Sequence, residues 1–275
     1  MNTREDAEAV LRAIGAQAGD DIDLAEGALA LAALDRPRVP LERYRAHLSE
    51  LRAEVAAERA NADGGAQVAA LNRALFDRHG YEGDTQTYDD LQNANLMRVI
   101  DRKKGLPVAL SILYIDAGRA QGWHIEGVNF PGHFLVRVLD GRGAIIVDPF
   151  RGGRTHGAGE LRELLRAVVG ADAELRPEHH AALGNRDILL RLQNNVKLRL
   201  LQSGSVEGAL RALDAMRLFA PDRGELWRET GLLQARLGNL RAAADNLERH
   251  LLLARGDGER HQAAALLQSV RSRLN

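Results

Sequence analysis

Residues 102–150, RKKGLPVALSILYIDAGRAQGWHIEGVNFPGHFLVRVLDGRGAIIVDPF, contain the clearest indications of the fold. Pro107 fits the first turn of a helix, where its missing N–H costs nothing, and Gly122 suits the end of that helix. Two apolar segments follow, HFLVRVL (133–139) and AIIVDPF (144–150), with the turn sequence DGRG between them. The stretch therefore predicts a helix followed by a β-hairpin.

This hairpin brings a histidine and an aspartate together. If Asp140 and Gly141 form a two-residue turn, His133 lies directly opposite Asp148. If all four residues of DGRG form the loop, the two side chains are diagonal neighbours on the same face, whereas an odd-length loop would separate them. A carboxylate beside an imidazole fixes its tautomer and stabilises its charged form, as a general base requires.

Composition excludes several classes of protein. The 275-residue chain has 37 basic and 38 acidic residues, a balance that argues against a dedicated nucleic-acid-binding protein. It contains no cysteine, so disulfides, thiolate catalysis and cysteine-ligated metals are excluded. The charged N-terminus resembles no secretory signal, and no apolar run is long enough to span a membrane. We therefore expect a soluble, cytoplasmic protein.

Helical periodicity frames the central stretch on both sides. Apolar spacing predicts a helical region over 1–60, and turn-forming residues break it at 61–65. From residue 183 onward the chain is helical again and repeats itself every 34 residues, with the matched pairs Gly204 and Gly238, Ala209 and Ala243, and Leu213 and Leu247. This segment resembles two tetratricopeptide repeats with a capping helix, and two ordinary helical hairpins are the alternative. We expect domains at 1–182, with its core at 61–182, and at 183–275.

Several motifs carry a resemblance to a known family. They are R-K-x-G-[LI]-P-x-x-L-S at Arg102–Ser111, P-G-H-F-L-V-R at 131–137 and D-P-F-x-G-G at 148–153. With them, roughly residues 20–160 resemble the transglutaminase-like superfamily, and more closely its SirB-one branch. The resemblance implies an α+β fold: a helical N-terminal region, a papain-like core with a small antiparallel sheet, and C-terminal helical repeats.

The sequence departs from the superfamily at the nucleophile. Aligning Gly122 with the glycine that ends the superfamily's nucleophile helix places Pro107 at the cysteine position. His133 and Asp148 remain as a remnant dyad, so the resemblance implies the fold without transglutaminase or protease activity. Ser111, one helical turn later, is an alternative nucleophile, although a serine inside a helix more often bonds its own backbone.

Four further side chains are candidates to line the cleft: Tyr88, Asn93, Asn95 and Arg102. None of the nine histidines forms a close metal-binding motif, so we expect neither a metal nor a cofactor. A metal site at the dyad, completed by Tyr88 or Asn93, is the alternative, and so is a purely structural His–Asp pair that pins the hairpin.

Two functions follow from these features. The first is a non-catalytic scaffold that binds a protein or peptide partner through residues 183–275 and its degenerate cleft. The second is a hydrolase or acyltransferase in which His133 is the base, Asp148 orients it, and Ser111 or water is the nucleophile. The first predicts that apolar side chains around Pro107 fill the cleft, and the second predicts an open one.

Overall fold

The structure is a computed structural model that describes residues 3–58 and 63–274. Residues 1–2 and 59–60 of the predicted helical region, and 61–62 of the predicted break, lie outside the described residues. The helices are α1 Arg4–Ala16, α2 Leu24–Asp35, α3 Glu42–Ala57, α4 Gly64–Asn72, α5 Leu96–Arg102, α6 Pro107–Arg119, α7 Ala158–Val169, α8 Asn185–Gln202, α9 Val206–Phe219, α10 Gly224–Arg236, α11 Leu240–Leu253 and α12 Asp257–Arg271. A π-helical segment, Arg73–Arg78, follows α4 directly.

The strands form two sheets of very different size. Their bounds are β1 Glu82–Gly83, β2 Lys104–Gly105, β3 His124–Val128, β4 Leu135–Asp140, β5 Gly143–Asp148, β6 Arg154–His156 and β7 Ala182–Leu183. Strands β1 and β2 pair in parallel, and the other five form an antiparallel sheet in the order β6-β5-β4-β3-β7. The prediction of an α+β fold with a small antiparallel sheet is confirmed.

The described residues divide into two compact units. The first contains those of Met1–Ala7 and Gly19–Leu192, and the second those of Glu8–Ala18 and Gln193–Asn275. Most of α1 therefore belongs to the same unit as the C-terminal helices. The division at Leu192 falls inside α8, and the domain boundary at 182 stays a prediction.

Helix α6 is the central helix of the first unit. Pro107 occupies its first turn, where no N–H is needed, and the residues that follow are almost all apolar. Its side chains from Val108 to Ile115 are at most 2% exposed. A helix buried on all sides reads as a continuous apolar run without amphipathic spacing, because every face packs on protein. Gly122 follows with φ +76°, as expected of a glycine just past the end of a helix.

The β4–β5 hairpin has the register of the longer predicted loop. Asp140 pairs with Gly143 and Val136 with Val147, so the two-residue turn at Asp140 and Gly141 is wrong. The carboxylate of Asp140 explains the shift, since its Oδ1 accepts hydrogen bonds from the backbone N–H groups of Arg142 and Gly143 at 2.8 and 2.9 Å. One face of the sheet packs on α7 in a core of Val128, Phe130, Leu135, Leu161 and Leu165.

The second unit shows the predicted repeat in three dimensions. Gly204 and Gly238 both end a helix with nearly the same left-handed φ, +79° and +81°. The other matched pairs are buried to the same degree, with Ala209, Ala243, Leu213 and Leu247 all at 0% exposure. Because equivalent positions have equivalent backbone and burial, the 34-residue period is a structural repeat of helical pairs. Helix α12 packs on α11 through Leu267 and Val270, where the capping helix was predicted.

Candidate functional site

His133 and Asp148 form a hydrogen-bonded pair at one end of the hairpin. His133 lies two residues before β4, Asp148 ends β5, and Nε2 of the histidine lies 2.8 Å from Oδ2 of the aspartate. The observed register makes them diagonal neighbours, as the four-residue alternative predicts. The imidazole is 16% exposed and the carboxylate is fully buried, so the histidine is the member that solvent or a ligand can reach.

Asp148 is held as an anion by its surroundings. Burial alone raises the pKa of this carboxyl, but the hydrogen bond and charge of His133 outweigh burial and lower the pKa below its ordinary value. Its Oδ1 also accepts the backbone N–H of Phe150 at 3.0 Å, a bond that starts the turn after β5. The Asp148 carboxylate therefore orients the imidazole and also holds the turn. The same two contacts are consistent with a structural role and with a chemical role for Asp148.

A second histidine lies beside the same carboxylate and was missed at the sequence level. His156 Nε2 is 3.6 Å from Asp148 Oδ2, and the side chain is 2% exposed. Neither ring nitrogen has a hydrogen-bond partner within the described residues. His156 pairs with Ile146 across β5 and β6, so it shares a face with position 148. Strand β6 has three residues, which is too short for periodicity to signal it.

The predicted nucleophile positions lie inside the protein. Pro107 is buried at the start of α6, and the helix packs against β4 and the turn Pro149–Arg151. Ser111 is 0% exposed, and its Oγ has no hydrogen-bond partner within the described residues, His133 included. A serine nucleophile needs a base within hydrogen-bond reach, so the geometry described here does not assemble a Ser–His pair.

Of the predicted cleft residues, Tyr88 lies near the dyad. Its ring meets Phe150 edge-on at 5.8 Å between centroids, and Phe150 meets His133 in the same way at 6.2 Å. Tyr88 is 39% exposed. The three rings form one aromatic row in which His133 is the polar member, an arrangement that suits contact with an apolar or aromatic group.

Arg102 and Asn93 belong to a separate buried network. Arg102 donates to Asn93 Oδ1 at 2.8 Å and to Asp84 Oδ2 at 2.9 Å. Burial raises the pKa of Asp84, but hydrogen bonds from Thr87 and Arg102 prevail and hold it well below its usual range. Asn95 caps α5 and donates to Ala32 O at 3.0 Å. These contacts anchor the loop before α5, and a role in the cleft stays a prediction.

The repeat unit carries a cavity of about 690 Å³ between α10, α11 and α12. The acidic Glu225 and Glu259 and the basic Arg228 give its rim both charges. His250 is 4% exposed, and its Nδ1 has no hydrogen-bond partner within the described residues. The remaining lining comes from one face of α12: Gln262, Ala265, Leu266 and Ser269. A large cavity with an unsatisfied buried nitrogen is a candidate binding site.

Comparison with known proteins assigns the family. Residues 42–194 match the model of the transglutaminase-like superfamily, and residues 196–268 match the tetratricopeptide repeat. The chain belongs to the transglutaminase-like superfamily. A UPF0162 protein of Xylella fastidiosa is 35% identical over 195 residues, 68% of each chain, and a UPF0162 protein of Vibrio cholerae is 32% identical over 221 residues, 79% of this chain and 81% of that one. Human F-box only protein 21 is 31% identical over 183 residues, 61% of this chain and 27% of that protein.

The paired side chains of His133 and Asp148 have the chemistry of a base and its orienting group. His133 can take up a proton, and Asp148 can stabilise the imidazolium that results. Neither residue is a nucleophile for acyl transfer, and the position predicted for the nucleophile is a proline. The arrangement can therefore bind a donor or acceptor of hydrogen bonds at His133, and it can activate a water held there.

Proposed function

We propose that this chain is a non-catalytic member of the SirB-one branch, a cytoplasmic scaffold whose repeat unit binds a protein or peptide partner. The observation that carries the proposal is the cavity between α10, α11 and α12, because it combines volume, mixed charge and an unsatisfied buried nitrogen at His250. Tetratricopeptide repeats bind extended or helical segments on surfaces formed by successive helices. The transglutaminase-like domain has, on this proposal, lost its chemistry.

The state of the nucleophile helix supports the absence of catalysis. Pro107 has no reactive group, and Ser111 is sealed in the core one turn further on. Residues around Pro107 are apolar and buried, in keeping with the filled cleft that the non-catalytic reading predicts. Loss of the nucleophile alone would leave the contacts of Asp148 with His133 and with the backbone of Phe150 intact. These contacts give a physical reason for the His–Asp pair to persist.

The lining of the cavity indicates the chemistry of the partner. Rim charges of both signs favour a segment that carries both an acidic and a basic group, and they set its orientation. The Nδ1 of His250, when it carries no proton, accepts a hydrogen bond from a donor such as an amide N–H or a hydroxyl. The apolar side chains of Ala265 and Leu266 in the lining supply contact area for an apolar part of the partner.

Affinity capture with the full-length chain tests this proposal. Arg228 and Gln262 are both exposed and line the cavity, so the double variant Arg228→Ala, Gln262→Ala alters the cavity without removing core side chains. Arg241→Ala is the matched control, an exposed arginine on α11 outside the cavity. We expect a partner retained by the wild type and by Arg241→Ala to be lost at least about tenfold from the double variant.

A partner that survives the double variant equally well argues against the cavity. A further arm, His133→Ala, then locates the contact, because a partner lost only in that variant binds at the old active-site cleft. If the wild type captures no partner above the background of a capture without this protein, the result contradicts the scaffold proposal.

A second candidate function rests on the intact dyad. The 2.8 Å bond between His133 and Asp148, with the imidazole 16% exposed, favours a hydrolase that uses water as the nucleophile. The alternative, a hydrolase or acyltransferase that uses Ser111, requires the buried hydroxyl to move within reach of His133. Activated esters and acyl amides are the substrates to test, with His133→Ala and Ser111→Ala beside the wild type. General-base catalysis predicts a loss of about 10²–10⁴-fold in His133→Ala. Equal rates in the wild type and both variants would exclude this candidate.

A further inference from the structure

A cluster of three metal-ligating side chains lies outside the remnant dyad, where α3 meets the end of the π-helical segment. His47, Glu50 and His79 each offer a ligand atom, and these atoms lie within 4.8 Å of one another. We propose that this cluster binds a divalent transition-metal ion of the Zn²⁺ type, with three protein ligands and one position open to solvent. It is independent of the proposed scaffold function.

Local structure explains why the three side chains converge. His47 and Glu50 are three residues apart on α3, so they share one face of the helix, and His47 Nδ1 lies 3.2 Å from Glu50 Oε2. His79 follows the π-helical segment and donates its backbone N–H to Ala74 O, five residues back, at 3.2 Å. The wider π turn displaces the residues after it, and such turns are frequent at functional sites.

The donor set fits the proposed ion. Two imidazoles and one carboxylate form the three-ligand set of catalytic zinc sites and of other sites for borderline metals. Zinc ligands lie about 2.0–2.2 Å from the ion, so tetrahedral neighbours are roughly 3.5 Å apart and a 4.8 Å pair must close by about 1.3 Å. Glu50 is 58% exposed and free to rotate, whereas His47 and His79 are 13% and 14% exposed.

Both imidazoles have the outer contacts that orient metal ligands. Nε2 of His47 lies 2.7 Å from the hydroxyl oxygen of Tyr81. Nε2 of His79 lies 3.1 Å from Glu54 Oε1, the carboxylate–histidine contact that fixes ring orientation and raises ligand basicity. In His47 the contact with Tyr81 leaves Nδ1, the atom that already faces Glu50, for the ion.

One nearby charge opposes the ion. The ammonium of Lys103 lies 3.2 Å from Nε2 of His47, on the side of the ring away from Nδ1, and 4.5 Å from the centroid of the Tyr81 ring. Its repulsion is countered by the carboxylates of Glu50 and Glu54. The cluster thus suits a divalent ion of moderate affinity better than one held permanently.

Zinc titration of the full-length chain tests the site. We expect one Zn²⁺ per chain by isothermal titration, and a rise in melting temperature of roughly 5–10 °C when the ion is a hundredfold above its Kd. Glu50→Gln is the decisive variant, because its exposed side chain can change without harm to the fold. Glu42→Gln is the matched control, an exposed glutamate of the same helix.

The expected result is a loss of affinity of at least about tenfold to a hundredfold in Glu50→Gln and in His79→Gln, with Glu42→Gln unchanged. Cobalt(II) gives a second readout, since its visible absorption reports the ligand field and the chain has no cysteine to add thiolate bands. Wild-type protein that binds no Zn²⁺ in the micromolar range, or variants that bind as tightly as Glu42→Gln, would overturn the proposal. So would a loss confined to His133→Ala, which would place the ion at the dyad.

Discussion

Replacement of Arg102 by methionine should destabilise the first unit by about 2–4 kcal/mol. The guanidinium donates to Asp84 at 2.9 Å and to Asn93 at 2.8 Å, and a hydrogen bond with a charged group contributes about 1.5–3 kcal/mol. Methionine retains the apolar stem. The loss stays near the lower end of what breaking a buried ion pair costs, about 3–5 kcal/mol, because Thr87 keeps two hydrogen bonds to the carboxylate.

The assay is urea unfolding of the full-length chain, followed by tryptophan fluorescence. The two tryptophans divide between the units, with Trp123 in the first and Trp227 in the second. In a Trp227→Phe background, the remaining fluorescence therefore reports the unit that contains Arg102. Arg98→Met is the matched control, since Arg98 is an exposed arginine of the same helix, α5.

The stabilisation that Asp84 contributes depends on pH. Hydrogen bonds lower the pKa of Asp84 in the folded state, so its contribution to stability is complete above the unfolded value of about 3.9 and is lost as pH falls toward the folded pKa. The unfolded pKa is common to the wild type and Arg102→Met, so the gap between them should be complete at pH 7 and shrink only as pH falls through the folded pKa of Asp84 in the variant. A gap under about 1 kcal/mol at pH 7, or one that widens as pH falls, would contradict this account.

Three further outcomes are expected from urea unfolding. Gly204→Ala and Gly238→Ala should each cost about 1–2 kcal/mol, because only the left-handed φ opposes the new Cβ; costs that differ more than twofold would contradict the repeat equivalence. His156→Leu should leave stability unchanged or higher, since both buried ring nitrogens are unsatisfied, and a loss above about 2 kcal/mol would show a missing partner. Asp148→Asn should cost about 1.5–3 kcal/mol at pH 7 and less near pH 2.5, because His133 lowers the folded pKa; a pH-independent loss would contradict this.

Local signals made much of the fold predictable. Pro107 and Gly122 mark the two ends of α6 by backbone chemistry that depends on no distant residue. The repeat was legible because Gly204 and Gly238 meet the same conformational requirement one period apart. The register of the hairpin was harder to predict, because DGRG is compatible with two registers. The carboxylate of Asp140, which accepts hydrogen bonds from the turn, selects one of them.

Only the part of the site that lies on the hairpin could be predicted from the sequence. His133 and Asp148 are joined by a short turn that limits their separation, so their contact could be predicted from the hairpin pattern. His156 enters through a third strand too short to recognise, and His79 reaches His47 through a long-range packing contact. The motif at Arg102–Ser111 suggests a position for Arg102 at the cleft. In the structure Arg102 binds Asp84, a residue that belongs to no recognisable motif.

The grouping of residues 8–18 with the C-terminal unit has a consequence for synthesis. Helix α1 is synthesised before the helix it packs on, α9, which follows about 200 residues later, roughly 10–40 s at a synthesis rate of about 5–20 residues per second. The close approach of Gly15 to the backbone of Leu218, where an added Cβ would lie 2.2 Å from the carbonyl oxygen, shows how tight that packing is.

During this interval the apolar side of α1, with Leu11 and Ile14, has no covering surface. The nascent chain therefore presents a hydrophobic helix for many seconds, and such helices are what general chaperones bind. The second unit is therefore complete only when residues 8–18 and the helices from α9 onward are both present. A chain interrupted before α9 keeps the apolar side of α1 uncovered.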